Sequence, residues 1–99
     1  MERRIARNTH PGEILKEEVI NANHLTVAET AELLKVTYPT LSNIVTGKSA
    51  ITPDTALRIA KVFGGNASLW TRLQMSYDLR KAEYEFENSH LELERFCYA

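Results

Sequence analysis

A chain of 99 residues is the size of one domain with one core. Hydrophobic residues make up 43% and charged residues 25%, a globular balance that excludes wholesale disorder and fibrous repeats. The net charge of −1 is unevenly spread: a cationic middle precedes an anionic end, which suggests two surfaces for two kinds of partner.

In chain order the expected elements are all helical. Pro11 and Gly12 precede a first helix over Glu13–Asn21, with Ile14, Leu15 and Val19 as its apolar stripe. Asn21, Asn23 and His24 form a polar break. The second helix opens at Thr26 with a capping box, because Glu29 stands three residues on. Val27, Ala31 and Leu34 share one face of it. Lys35 and Val36 form a very short connection, and Thr37 caps a third helix, Tyr38 to Thr46, which stops at Gly47. Thr52 and Pro53 start a fourth, with Ala56, Ile59, Ala60 and Phe63 inward and Gly64-Gly65 at its end. A fifth begins near Asn66, with Leu69, Trp70, Leu73 and Tyr77 as apolar positions. The fold class is therefore all-α with five helices.

The C-terminal tail is open. Glu83-Tyr84-Glu85-Phe86-Glu87 alternates like a strand, while Tyr77 and Tyr84 have helical spacing. Asn88-Ser89 interrupts whatever forms, and Leu91, Leu93 and Phe96 make a second apolar patch. We divide the chain into a domain over residues 1–82 and an acidic extension over 83–99.

Two short helices joined by a tight turn outline a helix-turn-helix. Leu41, Ile44 and Val45 lie on one side of the third helix; Pro39, Ser42, Asn43 and Thr46 lie opposite, flanked by Tyr38 and Thr40. That outer face holds no acidic residue, and Lys35, Lys48, Arg58 and Lys61 are opposed only by Asp54 over the surrounding stretch. Taken singly, Ser, Thr and Asn on a helix are ordinary solvated surface, and Thr37 is a cap in any case. Their conjunction with local positive charge points to double-stranded DNA. Asn43 suits an adenine edge, Thr40 and Ser42 a base or phosphate, Thr37 and Lys48 the phosphate backbone, and Tyr38 a phosphate or thymine methyl. One such module buries little DNA, so a homodimer on two half-sites is expected.

The stretch TVAETAELLKVTYPTLSNIVTGKSAITPDTALRIAKVFG resembles the helix-turn-helix of phage-repressor type. With HPGEIL before it and LWTRLQMSYDLRKAE after it, Thr9 to about Glu83 is similar to HigA-type antitoxins of bacterial toxin–antitoxin modules. The resemblance implies a homodimeric repressor of its own operon and a cognate mRNA-cleaving toxin neutralised by this chain. It implies DNA contact for Thr37, Tyr38, Thr40, Ser42, Asn43 and Lys48, to which Thr46 is added from its place on the same outer face, and core or dimer contact for Trp70, Leu73 and Tyr77. Three positions depart from the pattern. Val27 stands where such motifs often carry Gln, Lys35 where the turn often has Gly, and Asn43 where many relatives carry Arg, which favours adenine over guanine.

Competing readings are a solitary regulator without a toxin, a helical adaptor, and an enzyme. His10, His24, His90 and Cys97 match no zinc spacing, and no phosphate loop or nucleophile elbow is present, so neither catalysis nor a metal or cofactor is expected. His10 and His24 read as loop or capping residues. No apolar run approaches the roughly 20 residues of a membrane span, and the opening residues lack a secretory apolar region. With one cysteine, the chain is expected to be cytoplasmic and reduced. The acidic end suits a basic toxin, with Tyr84, Phe86 and Phe96 as anchors, or an inter-subunit strand. Arg3, Arg4 and Arg7 form a basic start.

Overall fold

The computed structural model describes residues 8–97, so the basic start at Arg3, Arg4 and Arg7 lies outside the described residues. Among these residues there are five helices and no strand: α1 (Pro11–Leu15, continuing as a π-helix over Lys16–Asn21), α2 (Val27–Leu34), α3 (Tyr38–Val45), α4 (Pro53–Phe63) and α5 (Ala67–Ser89).

Local chemistry sets the helix starts. Thr26 and Glu29 close the capping box at 2.9 and 3.0 Å. The hydroxyls of Thr37 and Thr52 each accept from the backbone N–H three residues on, with Pro in the first turn of both helices. Asn66 accepts from Ser68 at the head of α5.

The first helix departs from expectation. It starts two residues earlier, at Pro11, and its second half is π-helical. A π turn bonds residue i to i+5 and so aligns residues five apart. Leu15 and Ile20 are accordingly both sealed in the core, while Val19 is only half-buried. Ile20, absent from the α-helical stripe, thus belongs to the core.

α1 packs on α3 and α5, α2 packs on α3 and α4, and α4 packs on α5. Between them sit Leu15, Ile20, Leu34, Leu41, Ile44, Ile51, Ala56, Ile59 and Trp70. Three expected core positions sit further out. Ala60 and Phe63 are half-buried, and Leu69 is exposed because Trp70 takes the inward position in the first turns of α5.

The turn between α2 and α3 depends on Lys35, which adopts the left-handed conformation at φ 60° and ψ 40°. Its N–H returns to the carbonyls of Ala31 and Glu32. The Arg58 guanidinium, reaching from α4, donates to the carbonyls of Leu34 and Lys35 at 2.8 and 3.1 Å. This satisfies acceptors that a helix end leaves open. A left-handed conformation costs a side-chain-bearing residue about 1–2 kcal/mol. Lys35→Gly is therefore expected to stabilise the fold by about 0.5–1 kcal/mol, raising Tm by a few degrees, after glycine's own backbone entropy is offset. Thermal unfolding by circular dichroism checks this, and an unchanged or lower Tm refutes it.

α5 runs unbroken through position 82 to Ser89, where His90 closes it in the left-handed conformation. Glu83–Glu87 is thus helical: it continues an established helix, its three glutamates favour that state, and no strand lies alongside among the described residues to pair with. From Asp78 onward its residues are exposed, and the chain extends over 55 Å in its longest dimension.

Candidate nucleic-acid interface

The outer side of α3 is built by its inner side. Leu41 and Ile44 are buried, which turns Thr40 and Asn43 outward and leaves Ser42 half-exposed at the edge. Tyr38 is 55% exposed at the helix head, beside Thr37. Thr46 and Lys48 are exposed at the far end. The seven residues singled out by sequence therefore lie along one path, from the α3 N-terminus to the following loop, with no acidic side chain among them.

Their hydrogen bonds divide them. The hydroxyls of Thr37 and Thr40 are 2.7 Å apart, and Thr37 also accepts from the Thr40 N–H. When Thr40 donates within this pair, the Thr37 proton points to solvent at the positive helix end, suited to an anion. Thr46 is differently placed: its hydroxyl donates to the Ser42 carbonyl at 2.8 Å, so its one proton is engaged within the helix end. The side chains of Asn43 and Lys48 form no hydrogen bond or ion pair with described residues.

The end of α3 is clasped by the start of α1. A Cβ on Gly12 would overlap the Ile44 carbonyl oxygen, so the two backbones touch directly. His10 caps α1, its Nδ1 accepting from the Gly12 N–H at 2.8 Å, which leaves the neutral ring's proton on Nε2. Burial pushes the His10 imidazole below its ordinary 6.5, against the opposing pull of Asp78, Glu13 and the Ser49 backbone. The unfolded chain then binds the extra proton first as pH falls. Stability contributed by neutral His10 is complete above 6.5 and is lost as pH drops from 6.5 towards the lowered folded value. Melting curves between pH 7.5 and 5.5 are expected to show Tm falling in the parent chain and falling less in His10→Asn. Parallel profiles would contradict this.

Trp70 is buried, Leu73 is half-buried against the core, and Tyr77 is half-buried. Tyr77 meets the His10 ring edge-on, with centroids 4.8 Å apart. Sequence reasoning missed two residues here. Gln74 is buried and its Oε1 accepts from the Ile51 N–H at 2.8 Å; Arg58 braces the turn. A glutamine at helical spacing between Trp70 and Tyr77 was a signal for the first, whereas nothing local marks the second. It also missed a second apolar row on α5. Met75, Leu79 and Phe86 are 69%, 58% and 49% exposed, with Ala82 among them. At about 100° per residue this row lies opposite Trp70, Gln74 and Tyr77. Its far end frames a cavity of about 320 Å³ lined by Leu79, Ala82, Glu83, Phe86 and Glu87.

Two short helices set by a left-handed turn, with the second presenting its polar face to solvent, define a helix-turn-helix protein. The chain belongs to the helix-turn-helix family, whose pattern it matches over residues 15–70. It is 39% identical over 82 residues to virulence-associated protein I of Dichelobacter nodosus, covering 83% of this chain and 76% of that one. Antitoxin GraA superposes with a TM-score of 0.85 at 33% identity, covering 91% and 98% of the two chains. The Pseudomonas aeruginosa antitoxin HigA, solved with the higBA promoter, gives 0.82 at 34%, covering 92% and 100%. The resemblance to HigA-type antitoxins read from the flanking motifs thus extends through the fold. No helix among the described residues is long and apolar enough to cross a membrane.

Proposed function

We propose that this chain is an antitoxin that represses its own operon by binding operator DNA as a homodimer and neutralises a cognate mRNA-cleaving toxin. The observation that carries the DNA reading is the exposed, acid-free path from Thr37 through Asn43 to Lys48. Asn43 offers a donor and an acceptor to an adenine edge, with Thr40 and Ser42 beside it. Thr37, Tyr38 and Lys48 position the helix on phosphates. Thr46, its proton already donated, ranks last among the seven.

The homodimer follows from size: two modules on half-sites about 34–36 Å apart supply affinity that one cannot. The row Met75, Leu79, Ala82 and Phe86 is the surface this reading gives to the second copy. The toxin reading is supported by the likeness to antitoxins GraA and HigA and by the carboxylates of the C-terminal region.

Expression in cells tests the whole reading. Alone, the adjacent gene is expected to arrest growth and, with this chain, to be tolerated, while a reporter behind the operon's own promoter falls silent. A silent reporter without any arresting neighbour would favour the solitary regulator instead. An unrepressed reporter would remove the DNA claim.

A further inference from the structure

The loop from Gly47 to Ile51 joins α3 to α4 and carries Lys48. It is fastened at both ends. At its start the N–H groups of Lys48 and Ser49 both donate to the Asn43 carbonyl, at 2.8 and 3.1 Å. Under it lies His10, whose ring is close enough that a Cβ on Gly47 would sit 3.7 Å from the ring's Cγ. Nδ1 is held by the Gly12 N–H and the ring edge by Tyr77, so the imidazole has one orientation. Asn8 ties the same segment to α5 by donating to the Tyr77 carbonyl at 3.0 Å. At the loop's other end the buried Gln74 accepts from Ile51, and its Nε2 donates to Asp78 at 3.0 Å. Between these anchors is a mostly polar cavity of about 200 Å³ lined by His10, Lys48, Ser49, Gln74, Asp78 and Lys81, among others.

We propose that His10 and Gln74 are positioning residues for DNA binding: from beneath the loop, they hold Lys48 where its ammonium meets a phosphate. The inference rests on the DNA-binding reading above. Both side chains are too buried to touch DNA themselves, at 9% and 6% exposure. Capping α1 requires only an acceptor, which Asn or Asp supplies as well. An imidazole adds a ring that reaches under Gly47, and this is the part of His10 that the cap does not use. Gln74, likewise buried, gives its Oε1 to one loop N–H, while its Nε2 is held by Asp78 on its own helix. A loop fixed before binding loses less freedom when its lysine meets the phosphate.

The test uses the full chain and four variants: His10→Asn, which keeps the cap but removes the ring; Gln74→Met, which keeps the bulk but removes the acceptor; Lys48→Ala; and His10→Asn with Lys48→Ala. Amide hydrogen exchange without DNA is expected to quicken about tenfold at residues 48–51 in the two anchor variants, with α2 and α4 still protected. Binding to the chain's own upstream duplex, measured by anisotropy at several salt concentrations, is expected to weaken roughly tenfold. The log–log salt slope should fall by about 0.9 per protomer, towards that of Lys48→Ala. The double variant should bind little worse than Lys48→Ala alone, as for residues acting through one contact. Unchanged exchange at the loop overturns the proposal, as does an intact salt slope in both anchor variants. If the parent chain shows no selective DNA binding, the DNA reading fails, and the exchange measurement alone still decides whether these residues hold the loop.

Discussion

Gly12→Ala is expected to destabilise the fold by about 3 kcal/mol or more, at the upper end of what overpacking a core costs. The added methyl overlaps the Ile44 carbonyl oxygen, which belongs to backbone and cannot rotate away. That carbonyl also accepts from the Gly47 N–H at 3.1 Å, so moving it disturbs the helix end as well as the contact. The neighbouring His10 Nδ1, 3.1 Å from the same point, closes the other side. In a domain this small each kcal/mol is roughly 4–8 °C in Tm, so the loss is plain in a thermal melt. The variant that folds should also bind DNA poorly, because the clasp joins α1 to the end of α3. A Tm within a few degrees of the parent would show that the two backbones are not in contact.

Leu79→Glu is expected to convert a dimer into a monomer while leaving Tm of the monomeric fold nearly unchanged. Leu79 is 58% exposed and contributes to no core contact, so its loss costs the monomer little. It lies, however, in the middle of the apolar row Met75, Leu79, Ala82 and Phe86, where a carboxylate would be buried without a partner if two copies met. Joining two half-site contacts raises overall affinity by roughly 10²–10⁴, so a monomer should lose at least a hundredfold in operator binding. Light scattering coupled to gel filtration, followed by the binding assay, reads both effects. A variant that remains dimeric and binds as the parent does would move the dimer contact elsewhere.

Much of the helix framework is legible without coordinates because its signals are local. Thr26 with Glu29, Thr37, Thr52 with Pro53, and Asn66 each announce a start within three residues of chain. The outer face of α3 is legible for the same reason, since Leu41 and Ile44 define its inside. Lys35 was recognisable as an unusual left-handed position because a glycine is so often needed there. What escaped depends on distant parts of the chain. The π-helix moves Ile20 into the core, a shift that a period of 3.6 cannot reveal. The clasp of Gly12 on Ile44 joins residues 32 apart, a proximity that sequence spacing does not announce. On α5 two apolar rows lie on opposite faces and cancel, so reading one of them, through Trp70, Leu73 and Tyr77, hid the other.

Base reading by α3 is put to the test by titrating the chain against its own upstream DNA and a scrambled duplex at several salt concentrations, with Asn43→Ala alongside. Selective binding that weakens with salt is expected. Asn43→Ala should cost about 1–3 kcal/mol on the specific duplex and little on the scrambled one, with the salt slope retained. Equal binding to both duplexes by the parent chain, or full selectivity surviving in Asn43→Ala, would contradict base reading by α3.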